Sequence, residues 1–219
     1  MEIKDVINKI DNKNVKINSK THNLCRNFNL FLMAFWIEKF KSVIIDQERL
    51  NRFYNILMVK DFVNSAFLAD HFNYTVQGKG SLRTAYEYLF KCLSEILNFA
   101  LFKPNGNFRV CDTSHEWKKN CIDYYNHNIY YGFYEELCKP VHVPSACFIN
   151  SDPDSIPFYN EHDHDNFNII LSKFINYSSD LLFICIQYLG LNNFNDLIPH
   201  KNMFSERIRK IIDMNYEQE

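Results

Sequence analysis

Residues 81–102 read SLRTAYEYLFKCLSEILNFALF. Apolar side chains recur at Leu82, Ala85, Tyr86, Leu89, Leu93, Ile96, Leu97 and Ala100. Steps of three and four along the chain place them on one stripe of an α-helix, the pattern of a helix with one face in a core. The stretch ends before Lys103-Pro104-Asn105-Gly106-Asn107, whose Pro and Gly stop a helix.

The same period extends in both directions. Residues 26–45 carry Phe28, Phe31, Leu32, Phe35, Phe40, Val43 and Ile44 as a wide apolar face. Residues 47–73 repeat it with Leu50, Phe53, Tyr54, Leu57, Phe62, Phe67 and Leu68. Gly78 and Gly80, in VQGKGS, predict a break before the helix at 81. Downstream, FRVCD at 108–112 reads as a short extended piece, and Thr113 and Glu116 form a capping box for a further helix. That helix runs through YYNHNIYYGFYEELC, with Gly132 as its weak point and Pro140 and Pro144 bounding its end. Residues 146–162 read as irregular. A long helix over 163–189 carries Phe167, Ile170, Phe174, Tyr177, Leu181, Ile184 and Tyr188, and Gly190 ends it. A last helix over 203–213 carries Met203, Ile208, Ile211 and Ile212. The fold class is all-α, a single-domain bundle of five to six main helices. Residues 1–25 form an N-terminal helix (2–10) with a polar lead-in, and 26–219 form the domain.

Composition agrees. Of 219 residues, 47% are hydrophobic and 23% charged, with 20 Phe and 13 Tyr, which excludes intrinsic disorder. Five Gly and six Pro argue against a β-sandwich or a doubly wound sheet, both of which use Gly freely at turns. A net charge of −2 supplies no electrostatic footprint for tight duplex binding. The charged N-terminus lacks the apolar segment of a secretory signal. The stretches FNLFLMAFWI and DLLFICIQYLG fall short of the ~20 residues a membrane span needs. A cytoplasmic protein with no membrane partner is expected. The seven Cys show no CxxC spacing, so reduced, mostly buried thiols are expected rather than a zinc site or a disulfide framework.

No nucleotide-binding, zinc-protease, hydrolase-elbow or EF-hand signature is present. Four groups of residues could carry chemistry. Arg83 and Glu87 sit four apart and flank the apolar stripe, so they either border a cleft or form a surface ion pair. His142 follows a helix end between Pro140 and Pro144; a stiff turn could hold it as an acid or base, or it simply packs at the helix terminus. Tyr134 and Ser145 are neighbours that could hydrogen-bond it, and Lys139 is the nearest cation in sequence. Glu161-His162-Asp163-His164-Asp165 is rich in metal-binding atoms. Its side chains would fan around a helix axis, though, and acidic residues are expected at a helix start in any case. His162, Asp163 and His164 are therefore weak metal candidates beside a helix N-terminus. The Tyr-rich run at 124–134 could stack on unpaired bases, but without interleaved Lys or Arg it reads as a helix–helix or subunit interface. Glu206-Arg-Ile-Arg-Lys210 reads as a solvated charge run.

Two segments together carry a resemblance. SLRTAYEYLFKCL resembles the Arg/Glu helix, and YEELCKPVHVPS the later His-bearing turn, of bacterial HEPN-like helical domains associated with abortive infection and toxin–antitoxin systems. The resemblance covers about residues 45–190. It implies a helical bundle that dimerises, and a metal-independent endoribonuclease with no cofactor. His142 would be the acid/base, Arg83 would stabilise charge on the phosphorane, and Glu87 would orient either one. Partners would be RNA or a protein, as a homodimer or hetero-complex. The chain departs from the family's ribonuclease pattern by lacking an Arg in EELCKP, where Lys139 is the one cation and Cys138 stands in a usual Ser position. A second function class stays open: a non-catalytic helical interaction protein (a sensor, scaffold, antitoxin partner or viral immunomodulator).

Overall fold

The computed structural model describes residues 19–71, 75–97, 127–139, 164–190 and 194–216. Among them the chain is helical and contains no strand. The predicted pieces at 2–10, 108–112 and 146–162, the capping box at Thr113, and Pro140 and Pro144 lie outside the described residues.

Among the described residues there are seven helices, against the five to six main helices expected. α1 spans 19–41 as Ser19–Phe31, a π-helical turn Leu32–Trp36, and Ile37–Lys41. It is followed by α2 (Gln47–Phe53), α3 (Ile56–His71), α4 (Thr75–Leu97), α5 (His127–Cys138) and α6 (His164–Tyr188). A 3₁₀ helix at Asn195–Met203 leads into α7 (Glu206–Tyr216).

The extra helix comes from the predicted 47–73 rod, which is two helices. Asp46 caps α2, its carboxylate accepting the Arg49 N–H at 2.7 Å. At the far end the Asn55 amide donates to the Arg52 carbonyl at 2.7 Å, replacing the helical bond there and turning the chain into α3. The turn leaves Tyr54 and Leu68, both expected in the core, 37% and 52% exposed. Helix α1 begins at Ser19, earlier than its apolar pattern, and buries Thr21 and Cys25. The 3₁₀ helix was not foreseen, and α7 starts three residues later than the periodicity predicts.

The stripe of α4 is buried as read: Leu82, Ala85, Tyr86, Leu89, Leu93, Ile96 and Leu97 all lie in the core. α3 packs along α4, and α6 crosses it. α6 carries the longest enclosed run. From Ser178 to Ile186 every residue is buried, so the helix is enclosed rather than amphipathic there. By length and composition Asn166–Tyr188 could cross a membrane, which corrects the ten-residue limit read from the sequence; 72% of its most apolar window is buried inside the fold. Phe174 joins three helices through edge contacts to Phe28 of α1 (5.9 Å between ring centres) and Tyr86 of α4 (5.9 Å). Cys25, Cys92 and Cys185 are buried thiols outside any disulfide, and burial pushes Cys25 up to about 12, so it stays protonated and unreactive at neutral pH.

The predicted break at Gly78 and Gly80 does not occur, and α4 runs through both. Gly78 serves packing instead. A Cβ there would lie 2.9 Å from Phe167 Cε2 of α6 and 3.1 Å from the Ala66 carbonyl of α3. Glycine lets the three helices close. Gly132 in α5 is also helical, but a Cβ there would meet nothing within 4 Å. The two positions therefore predict opposite signs. Gly78→Ala should cost about 1–3 kcal/mol by overpacking. Gly132→Ala should add about 0.5–1 kcal/mol through helix propensity. Urea unfolding of both variants checks this, and a stabilising Gly78→Ala would refute the packing role. Gly190, at φ +69, ends α6 as predicted.

Candidate functional site

Arg83 and Glu87 project from the middle of α4 at the edge of its buried stripe, toward α5. Arg83 Nη2 meets Glu87 Oε1 at 2.7 Å. The Tyr134 hydroxyl of α5 donates to the same oxygen at 2.8 Å. The pair is not a surface bridge, because the Glu87 side chain is 9% exposed and that of Arg83 is 25% exposed. The i,i+4 spacing delivers the two charges to one face, and packing of α5 on α4 brings the phenol to them across 47 residues of sequence.

The electrostatics are those of a closed cluster. Burial raises the Tyr134 pKa, and the Glu87 carboxylate raises it further against the opposing pull of Arg83, so the phenol remains a donor. Burial opposes the Arg83 charge, but Tyr134 and Glu87 together hold its pKa above the ordinary value. Cys138, at the end of α5, lies close enough to feel both groups. Because Arg83 grips Glu87 through Nη2, its Nε is buried without a hydrogen-bond partner among the described residues. The guanidinium is thus oriented from one side only, with a quarter of the side chain reaching the surface.

Of the predicted site residues, the structure unites Arg83, Glu87 and Tyr134. Lys139 is exposed in the turn after α5 and makes no contact with Arg83 among the described residues. His142 and Ser145 lie outside the described residues; in sequence His142 follows Cys138 by four positions. His162 and Asp163 also lie outside them, and His164 is described only as the first backbone position of α6. The Tyr-rich segment works as a helix–helix interface where it is described: Tyr130, Phe133 and Tyr134 are buried against α4 and α6, with Phe133 edge-on to Tyr86 at 5.5 Å and to Tyr177 at 5.3 Å.

Sequence reading missed two polar centres. Asp180 on α6 is 1% exposed and accepts the Ser205 N–H at 3.0 Å and the Tyr130 hydroxyl at 3.2 Å, tying α5 and the start of α7 to that helix. It stands inside an apolar run, and the one sequence signal was a lone acid on a buried face. The second centre is a cleft bordered by Arg209. The predicted solvated run at 206–210 is split: Glu206 and Lys210 are exposed and pair at 2.8 Å, while Arg207 and Arg209 are half-buried.

Compared with known protein families, curated proteins and solved structures, the chain shows no significant match to any of them.

Proposed function

We propose that the chain is a HEPN-like effector of a defence or toxin–antitoxin system that cleaves RNA without a metal. The observation that supports this reading most is the convergence of Arg83, Glu87 and Tyr134 at the α4–α5 seam, at the end of the helix that leads to His142. In this mechanism His142 takes the proton of a ribose 2′-hydroxyl as that oxygen attacks the adjacent phosphorus. The P–O5′ bond breaks, the proton taken up by His142 passes to the departing 5′-oxygen, and the products are a 2′,3′-cyclic phosphate and a 5′-hydroxyl. Arg83, held in orientation by Glu87, stabilises the negative charge that builds on the phosphorane oxygens. Glu87 and Tyr134 are positioning residues.

The test is cleavage of a mixed tRNA and mRNA pool in EDTA. Wild type should cut, leaving cyclic phosphate ends. His142→Ala and Arg83→Ala should each lose about 100-fold or more. Arg83→Lys should recover little, since an ammonium cannot reproduce the planar fork. Equal cleavage by wild type and His142→Ala would refute the mechanism.

A second reading is a non-catalytic interaction protein of the same architecture. It draws on the same geometry: Glu87 Oε1 is shared by Arg83 and Tyr134, as in a clamp that only joins two helices. Absence of cleavage together with a stable homodimer or hetero-complex on sizing would favour it.

A further inference from the structure

A cleft of about 740 Å³ opens between α1, α6, the 3₁₀ helix and α7. It shares no residue with the Arg83 cluster. Its volume falls in the range of small-molecule sites. No acidic residue lines it. Its one fixed positive charge is Arg209. The Arg209 side chain makes no ion pair or hydrogen bond among the described residues, and its Nε is buried without a partner. Glu206, one turn earlier on α7, pairs directly with Lys210 and meets the Arg209 charge only at longer range. A buried N–H donor with no partner is costly unless a ligand meets it.

The remaining lining has a definite chemistry. Three carboxamides, Asn27, Asn176 and Asn202, come from three different elements and form no hydrogen bonds among the described residues. Each offers a donor and an acceptor in one plane. One wall is aromatic: His200 lies 4.6 Å from Phe31 and 5.2 Å from Phe35, with Phe31 and Phe35 stacked at 5.3 Å and 19°. Burial lowers the His200 pKa, so the ring is neutral at neutral pH and adds no second charge.

The backbone around the cleft is irregular in two places. The π turn Leu32–Trp36 carries an Ile37 N–H to Leu32 carbonyl bond, the five-residue step that defines a π turn. It turns Ala34 and Phe35 toward this cleft and toward an adjoining one of about 530 Å³. Beside it runs the 3₁₀ helix that carries Pro199 and His200. π turns inside α-helices are frequent at functional sites.

From these features we infer that the cleft binds a small molecule of the nucleoside-monophosphate class: one anionic group on Arg209, and a flat ring packed against the Phe35–His200 wall and read at its edge by the asparagine amides. Aromatic stacking and a bidentate amide are the contacts such a ring takes. A guanidinium fork is the contact a phosphate takes.

Isothermal titration of the full chain with AMP, UMP, indole-3-acetate and inorganic phosphate tests this. Saturable binding of AMP or UMP is expected. Arg209→Gln should weaken it by about tenfold or more, and Phe35→Leu should weaken it as well, at a temperature well below the melt of either variant. The melt of Arg209→Gln separates lost binding from lost folding. If that variant unfolds early, Asn202→Ala, at an exposed position, carries the same expectation of weakened binding. No saturable binding of either nucleotide up to millimolar concentration would overturn the assignment. So would nucleotide binding that Arg209→Gln leaves intact, inorganic phosphate binding as tightly as AMP, or indole-3-acetate binding more tightly than both nucleotides. The RNA-cleavage assay reads Arg83 and His142, so the two proposals fail independently.

Discussion

Phe174→Ala should destabilise the protein by about 3–5 kcal/mol. Phe174 is fully buried at the point where α6 meets α1 and α4. Removing its ring deletes the edge contacts to Phe28 and Tyr86 and opens a cavity whose walls are backbone-anchored helices. Collapse into the space is limited, because α3 and α6 are both already closed against α4 at Gly78, through Ala66 and Phe167. The cost therefore contains the transfer free energy of the ring and a cavity contribution that relaxation does not recover. For a chain of this size the loss corresponds to a fall in melting temperature of roughly 10 °C. Ile169, five residues earlier on the same helix and 58% exposed, is the control; Ile169→Ala should change stability by about 0.5 kcal/mol or less. Thermal and urea unfolding of the two variants give the answer, and a loss below about 1 kcal/mol for Phe174→Ala would mean that Phe174 does not hold the three helices together.

The second large effect is a pH dependence. Burial raises the Asp180 carboxyl from 3.8 to about 6, more than the hydrogen bonds from Ser205 and Tyr130 and the charge of Arg207 pull it down. Between those two values the folded protein holds a proton that the unfolded chain releases. Protonated Asp180 thus contributes stability that is fully present below about pH 4 and is lost as pH rises through about 6. Two units correspond to about 3 kcal/mol. Asp180→Asn removes the titration while keeping an oxygen for the Ser205 N–H and an N–H for the Tyr130 oxygen. The stability of wild type minus that of the variant should fall by about 3 kcal/mol between pH 4 and pH 7, leaving the variant the more stable at neutral pH. Taking the difference cancels exposed groups such as Glu206, whose pKa its bond to Lys210 lowers. A flat difference curve from urea titrations across this range would show that Asp180 titrates as an exposed carboxylate.

The two predictions also mark how far sequence reading reached. Phe174 was legible, because it sits mid-stripe in a long uninterrupted helix of period 3.6, whereas Tyr54 and Leu68 lie on a stripe that a turn divides. Asp180 was not, since its role depends on Tyr130 and Ser205, which arrive from 50 and 25 residues away in the chain. The candidate site divides the same way. Arg83 and Glu87 could be paired from their spacing alone, because four residues is one helical turn. Their burial could not be, because it comes from α5 laying Tyr134 across them.

The sequence by itself determined the all-α class, the buried stripes of α4 and α6, the stop at Gly190 and the Arg83–Glu87 pair. Each of these follows from residues within a turn or two of one another, and local periodicity and backbone sterics carry that information. The tertiary structure alone decided that Gly78 is a contact point rather than a break, that the 47–73 segment is two helices, that α1 carries a π turn, and that Arg209, His200 and three asparagines surround one cleft. These depend on which helix lies against which, and a close approach between distant segments leaves no period in the chain.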